Sequence, residues 1–188
     1  MKNEEENQDS FTVKFDVYEM KYKGALRDSN FPVIAFDKKY YKRYKELIND
    51  CYYEMREALN IQPYKAYCPS LEELIEEKDS IFLHMDKDEI ICTVSCEDNE
   101  VTNVAVNLKY QNRGYGRKIL DFAISYLQKK GHSTIRLTAL KWNKKAISLY
   151  ESAGFKITNE TTVVGISSKD EDGGWSFEFT STGGFSIR

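Results

Sequence analysis

Apolar residues recur along the chain with two periods, and each period predicts one kind of secondary structure. Spacings of three and four residues, typical of amphipathic helices, occur in two long segments, and helix start signals mark two shorter ones. The four predicted helices span 38–59, 71–78, 114–130 and 143–153. Asp37 can cap the first helix, and Ser70 with Glu73 forms a capping box for the second.

Runs of β-branched and aromatic residues between these helices predict strands. The predicted strands span 31–36, 81–85, 89–95, 100–107, 133–140, 155–166 and 174–180. A further strand is suggested at 12–18, where apolar and polar residues alternate, and we expect it at an edge of the sheet. The order of elements predicts a mixed α/β (α+β) domain with one largely antiparallel sheet of about seven strands and about four helices. Residues 11–188 would form this single domain, after a disordered acidic tail at residues 1–10.

The segment 100–118 combines a strand, a polar turn with Gly114 and Gly116, and the start of a helix. Glycines allow a ligand to approach the backbone, and the first N–H groups of a helix have no partner within it. With Arg113 and Arg117 nearby, this turn could hold a phosphate. It lacks the G-x-G-x-x-G spacing of dinucleotide-binding turns and the G-x-x-x-x-G-K-[ST] of P-loops. From these residues alone, an ordinary strand-to-helix connection is an equal alternative.

Composition and charge exclude several classes of protein. The 188 residues include 41% hydrophobic and 13% aromatic residues, which is not a disordered composition. The formal net charge of −3 is already present in the first nine residues, so the remainder is close to neutral. We therefore expect no nucleic-acid partner. Without a signal peptide or a long apolar run, we expect a cytoplasmic protein that does not bind a membrane.

The four cysteines do not have the spacing of a zinc site or a disulfide framework. Cys92 and Cys96 have the same parity on a predicted strand and are interpreted as small core residues. We expect no bound metal.

Two sequence blocks resemble the GNAT superfamily of acyl-CoA N-acyltransferases. The segment 111–116, QNRGYG, resembles the family signature Q/R-x-x-G-x-G/A, and the segment 143–155, NKKAISLYESAGF, resembles N-x-x-A-x-x-L-Y-x-x-x-G-F. The resemblance is strong over about residues 81–155. It implies the GNAT fold, in which the strands carrying residues 104–106 and 136–140 splay apart and the pantetheine chain of acetyl-CoA lies between them.

The resemblance also implies which residues bind acetyl-CoA as a cosubstrate. Main-chain groups at 104–106 would pair with the pantetheine amides, those at 112–117 would hold the pyrophosphate, and Asn143 would contact the cofactor, with helix capping as its alternative role. The expected cofactor-binding residues are Val104, Ala105, Val106, Gln111, Asn112, Arg113, Gly114, Tyr115, Gly116, Arg117 and Asn143.

For catalysis, the second block implies that Tyr150 is the general acid, because a phenol is protonated at neutral pH and can protonate a leaving thiolate. The alternative is a packed helix tyrosine. Many family members carry a glutamate where Glu100 stands, eleven positions before Gln111, so Glu100 is the candidate base. Its neighbours Glu97 and Asp98 are close rivals, and Glu100 could equally be an ordinary strand-end residue. The N–H of Val106 is the expected oxyanion donor.

The resulting hypothesis is an acetyl-CoA-dependent N-acetyltransferase that acts on a primary amine of a small molecule or peptide. The alternatives are a non-catalytic acetyl-CoA sensor or accessory module, and an N-acyltransferase that uses a longer acyl-CoA. A homodimer is left open. The first helical region of this family forms part of the acceptor site, so one or two of its tyrosines would face the cleft. The tyrosines concerned are Tyr40, Tyr41, Tyr44, Tyr52, Tyr53, Tyr64 and Tyr67.

Overall fold

The computed structural model describes residues 10–62, 64–65, 68–169 and 175–181, with side chains described between residues 12 and 166. Residues 1–9 of the predicted acidic tail lie outside the described residues. The strands are β1 (Ser10–Tyr22), β2 (Ile34–Ala35), β3 (Ile81–Asp86), β4 (Glu89–Glu97), β5 (Glu100–Val106), β6 (Ile135–Leu140), β7 (Lys156–Lys169) and β8 (Trp175–Ser181). The α-helices are α1 (Tyr41–Ala58), α2 (Leu71–Glu76), α3 (Tyr115–Lys129) and α4 (Lys144–Ser152).

Local capping chemistry places the helix starts as predicted. The Asp37 carboxylate accepts a hydrogen bond from the Lys39 N–H at 2.8 Å, at the start of the short 3₁₀ turn that leads into α1. The Ser70–Glu73 capping box is formed in both directions at the start of α2. None of the described helices has the length and apolar composition needed to cross a membrane.

All described strands form one sheet with the order β2-β3-β4-β5-β6-β1-β7-β8. Every neighbouring pair is antiparallel except β5 and β6, which are parallel. This confirms the mixed α/β class and the largely antiparallel sheet. The described residues form eight strands rather than about seven, because the N-terminal segment is a full member of the sheet.

The N-terminal strand β1 was expected at an edge and over 12–18 only, and this expectation was wrong. β1 is 13 residues long and lies between β6 and β7, paired with both. Alternation of Val13 and Val17 with polar neighbours shows that one face is buried, but it carries no information on how many strands flank it. A register shift between Glu19 and Met20 changes the parity, so that Met20 also reaches the core.

The predicted strand at 31–36 is shortened to two residues. Pro32 has no N–H to donate to a ladder. Its carbonyl oxygen lies 2.7 Å from the Nδ1 atom of His84 instead, and Phe31 packs against the same imidazole at 4.3 Å between ring centroids. His84 therefore holds Phe31 and Pro32, which lead into β2, in place.

Two hydrophobic clusters fill the core. The larger one includes α3 and α4 residues packed on the sheet, and the smaller one includes α1 and α2 residues with β3. β4 contributes to both, and its residues from Ile90 to Cys96 are all buried. Cys92 and Cys96 belong to the larger cluster, which confirms their interpretation as small core residues, and all four cysteines are free thiols.

Candidate functional site

The central feature is a gap that opens between the two parallel strands β5 and β6. Among the described residues, the one Cα pair between these strands joins Glu100 to Arg136, at the start of β5. The register of β5 against β4 also shifts by one residue between the Thr93–Ala105 and Ser95–Thr102 pairs. Such a bulge bends a strand. The end of β5 that carries Val104 to Val106 is therefore free on the side of β6, as the resemblance implied.

The main chain of Val106 faces this gap. The N–H of Asn107 donates to the Ile91 carbonyl on β4 at 2.9 Å, so residues of the same parity, including Ala105, direct their main-chain groups toward β4. Val104 and Val106 have the opposite parity and direct theirs away from β4. In agreement, the Val106 carbonyl accepts hydrogen bonds from the Cys51 thiol and the Gln111 side-chain amide, both at 3.2 Å.

A glycine turn joins this strand end to α3. Gly114 is the N-cap of α3 with φ +83°, a left-handed conformation that favours glycine. The first described hydrogen bond within α3 runs from the Lys118 N–H to the Gly114 carbonyl at 3.1 Å. The amides of residues 115–117 precede it and are the donors that a helix start offers to an anion. A Cβ on Gly116 would lie 3.2 Å from Leu149 and 3.7 Å from Val106, so glycine allows α3, α4 and β5 to meet closely.

The cationic side chains near the turn are tied to the protein. Arg117 donates to the Asp121 carboxylate at 2.9 Å and to the Ser152 carbonyl at 3.1 Å. The Arg113 guanidinium lies 5.3 Å from the centre of the Tyr110 ring. Arg117 therefore offers its main-chain amide to the gap, while its guanidinium joins α3 to the end of α4.

The second sequence block supplies α4. The Asn143 side chain accepts a hydrogen bond from the Ala146 N–H at 3.0 Å, so helix capping is one role of this residue. Tyr150 is 9% exposed and packs against Phe155, with ring centroids 6.2 Å apart. Burial raises the pKa of Tyr150 to about 12, so its phenol is protonated at any pH near neutrality.

These parts line one groove with a volume of about 680 Å³. Of the expected site residues, Val104, Ala105, Val106, Gln111, Asn112, Gly114, Tyr115, Gly116, Arg117, Asn143 and Tyr150 line it. Helix α1 closes the other side with Cys51, Tyr52, Glu54 and Met55, of which the sequence analysis considered only Tyr52 for the cleft. Burial raises the pKa of Cys51 to about 12, which keeps it a thiol that can donate to Val106. The spacing of Cys51 and Met55 is the same as that of ordinary core residues, so no sequence signal marks them as groove residues.

The structure does not bring Glu100 to this groove. Glu100 lies at the opposite end of β5, six residues from Val106, or about 20 Å along a strand that rises ~3.3 Å per residue. Its rival Glu97 pairs with it across the hairpin, and Asp98 lies in the turn between them, so both are equally remote. Glu54 is the carboxylate that lines the groove itself.

No group of three or more histidine, cysteine, aspartate or glutamate side chains in the described parts of the chain could hold a metal ion. What the groove offers instead is the unpaired edge of a strand, a helix start and a protonated phenol. An edge of this kind can pair with the amides of an extended chain.

Comparison with known proteins agrees with this geometry. The model of the "Acetyltransferase (GNAT) family" matches residues 41–155, which is more than half of the chain. The ribosomal protein bS18-alanine N-acetyltransferase of Escherichia coli (strain K12) is 40% identical over 73 residues, covering 39% of this chain and 47% of the enzyme. The chain thus spans about half the length of this curated relative. The corresponding enzyme of Haemophilus ducreyi is 30% identical over 118 residues, covering 59% of this chain and 76% of the enzyme.

Solved structures give the same fold. An acetyltransferase of the GNAT family from Colwellia psychrerythraea superposes with a TM-score of 0.61 at 16% identity, covering 83% of this chain and 57% of that one. The ribosomal-protein-S18-alanine N-acetyltransferase of Escherichia coli superposes with a TM-score of 0.53 at 19% identity, covering 72% and 91%.

Proposed function

The chain belongs to the GNAT family of acetyltransferases, and on this premise we propose that it transfers an acetyl group from acetyl-CoA to a primary amine. The observation that carries the proposal is the meeting of three features in one groove. These are the free main-chain edge at Val104 to Val106, the helix start at Gly114 to Arg117, and the phenol of Tyr150.

Each feature has a role in holding acetyl-CoA. The edge of β5 would pair with the pantetheine amides as an additional strand would. The amides at the start of α3 would hold the pyrophosphate, helped by the positive end of the helix dipole. A Cβ at Gly116 would press on Leu149 and Val106 between these two surfaces, so glycine at this position fits a ligand that contacts both.

The reaction is a direct transfer. The amine nitrogen attacks the thioester carbonyl, and the N–H of Val106 would stabilise the oxyanion. The new C–N bond forms as the C–S bond breaks, and Tyr150 protonates the departing thiolate. The ammonium gives one proton to a base before it attacks, and the second proton that the nitrogen loses as the amide forms restores the Tyr150 phenol through solvent. The products are an acetamide, free CoA thiol and one proton on the base.

The base remains the least determined role. Glu100 stays a prediction from the resemblance, and from its position it could act only through a chain of waters along the gap between β5 and β6. Glu54, which lines the groove on α1, is the carboxylate that could accept the proton at shorter range. Substituting each one separately distinguishes them.

The relatives support an amine acceptor without fixing which one. Ribosomal protein bS18-alanine N-acetyltransferases and a thialysine N-epsilon-acetyltransferase of Sus scrofa, 36% identical over 58 residues, are both among them. One name specifies a protein and the other a lysine analogue. The acceptor proposed here is therefore a primary amine of a peptide or of a small molecule, bound between α1 and the open end of β5.

The test is to measure release of CoA thiol from acetyl-CoA with a panel of peptides, amino acids and small amines. We expect turnover with at least one member of the panel and none with a tertiary amine, which cannot form a neutral amide. Binding of acetyl-CoA without turnover on any amine would instead indicate the non-catalytic sensor. A preference for butyryl-CoA over acetyl-CoA would indicate an enzyme for longer acyl groups.

A further inference from the structure

Arg27 lies in the irregular segment between β1 and β2 and reaches across to two helices. Its guanidinium donates to the Asp121 carboxylate on α3 and to the Ala153 carbonyl directly after α4. Its Nε also lies 3.2 Å from the Tyr22 hydroxyl. The Arg27 side chain is 23% exposed and that of Asp121 is 29% exposed, so the ion pair is largely shielded from water. Dissolved salt screens the attraction within a partly buried ion pair less than it screens an exposed one.

Arg117 makes the matching contacts from the other side. It donates to the second carboxylate oxygen of Asp121 at 2.9 Å and to the Ser152 carbonyl at 3.1 Å. Asp121 thus holds one guanidinium on each oxygen, and the two guanidiniums bind consecutive carbonyls at the end of α4. The last carbonyls of a helix lack partners within it, and cations stabilise that end.

This cluster, which we call the Arg27–Asp121–Arg117 clamp, binds α4 close to the proposed acid along the chain. Tyr150 precedes the two clamped carbonyls by two and three residues. Among the described residues, no hydrogen bond of the Tyr150 hydroxyl is found, so the phenol is held by its packing against Phe155 and by the placement of α4. Leu149 packs close to Gly116 and also holds α4. That contact precedes Tyr150 in the chain, whereas the clamp holds the carbonyls that follow it.

We propose that Arg27 is a positioning residue for acetyl transfer, which acts through the clamp to hold the end of α4 and so the Tyr150 phenol at the thioester sulfur. This inference rests on the proposed function. Arg27 does not line the groove, and its bond to α3 is made to the Asp121 side chain rather than to the main-chain donors at the helix start. Loss of Arg27 should therefore change the rate of the chemical step and leave acetyl-CoA binding intact.

The test is a double-mutant cycle of Arg27→Gln with Tyr150→Phe, using thiol release with the amine identified in the panel. In the wild-type background we expect Arg27→Gln to lower kcat roughly tenfold, as for a misplaced general acid, with KM for acetyl-CoA within about twofold. In the Tyr150→Phe background there is no phenol to misplace, so Arg27→Gln should cost little further rate. A merely structural role cannot produce this difference between backgrounds.

Lys129→Gln is the matched control. Lys129 bonds Asp28 at 3.0 Å, so it joins the same irregular segment to the same helix α3 without touching α4. We expect its kcat to equal that of the wild type. If Arg27→Gln melts below the assay temperature, Asp121→Asn removes the shared carboxylate with little change of shape and is measured in its place.

An equal loss of kcat in both backgrounds would overturn the proposal, as would unchanged kcat in Arg27→Gln. If Tyr150→Phe alone keeps full turnover, the acid assignment fails and the positioning role fails with it. If no amine is acetylated while acetyl-CoA still binds, the proposed function itself fails, which is a separate result.

Discussion

Removal of the Tyr150 hydroxyl tests the chemistry of the groove most directly. Tyr150→Phe deletes one oxygen from a ring that is 9% exposed and packed against Phe155, so the hydrophobic contacts of α4 persist. We therefore expect the free energy of unfolding at pH 7.5 to change by less than about 1 kcal/mol. Acetyl-CoA affinity measured by calorimetry should also stay the same, because the cradle at the start of α3 is unchanged.

The expected loss of turnover follows from the leaving group. General acids contribute roughly 10²- to 10⁴-fold, but a thiol with an ordinary pKa of about 8.5 departs readily even as a thiolate. We therefore expect a loss near or below the low end of that range, with kcat lowered roughly tenfold or more. Burial raises the pKa of Tyr150 to about 12, so the phenol is protonated throughout pH 6.5–9.5. The ratio of wild-type to Tyr150→Phe kcat should accordingly be constant over that range.

Two results would refute this reasoning. One is unchanged kcat in Tyr150→Phe under conditions where pre-steady-state traces show no burst, so that chemistry limits the rate. The other is a ratio that falls toward one between pH 7 and 9, which would mean that the phenol ionises there and is not held by burial. The first outcome would return Tyr150 to the core as a packing residue, and the second would show that burial does not keep the phenol protonated over this range.

Three further predictions concern the cradle, the base and alkaline stability. Gly114→Asp should weaken acetyl-CoA binding at least tenfold by calorimetry, whereas Gly131→Asp, with a similar φ of +98° at the far end of α3, should cost stability but not affinity. Glu100→Gln and Glu54→Gln test the two candidate bases. The variant that removes the base should lose rate near pH 7 and recover toward pH 9.5, because an unperturbed amine has a pKa of about 10.4 and is increasingly deprotonated as pH rises. A ratio of wild-type to variant rate that does not change with pH excludes that glutamate as the base. Burial raises the pKa of Cys92 to about 12 from an ordinary 9, so as pH rises the unfolded chain releases this proton before the folded protein does. The free energy of unfolding should therefore fall as pH rises above 9. Urea unfolding at pH 8 and 10.5 should show a smaller fall for Cys92→Ala than for the wild type.

Features that depend on a few neighbouring residues were predictable from the sequence. The Asp37 cap and the Ser70–Glu73 capping box each express a local backbone requirement that the residue types satisfy. The family resemblance of residues 111–116 and 143–155 predicted the fold and the gap between β5 and β6. In the structure, both blocks contribute residues that line the groove. Helix ends differ from the prediction by up to three residues, and the largest difference arises where a 3₁₀ turn at Lys38–Tyr40 precedes α1.

Features that depend on distant residues were not predictable. The position of β1 between β6 and β7 is set by pairing across more than a hundred residues, and its own alternation is the same at an edge or inside a sheet. The residues of α1 that line the groove were not predictable for the same reason. Cys51 and Met55 have the spacing of core residues, and they line a groove because β5 opens away from β6 beside them.

The position of Glu100 shows why a strand residue cannot be assigned to a site without knowing which end of the strand opens. Glu100 and Val106 belong to the same strand, but Glu100 lies where β5 still pairs with β6 and Val106 lies where it does not. The bulge near Asn103, whose φ is +50°, separates the two ends. Glu54 on α1 lines the groove beside the open end of the strand, so the candidates for the proposed base extend from β5 to this helix.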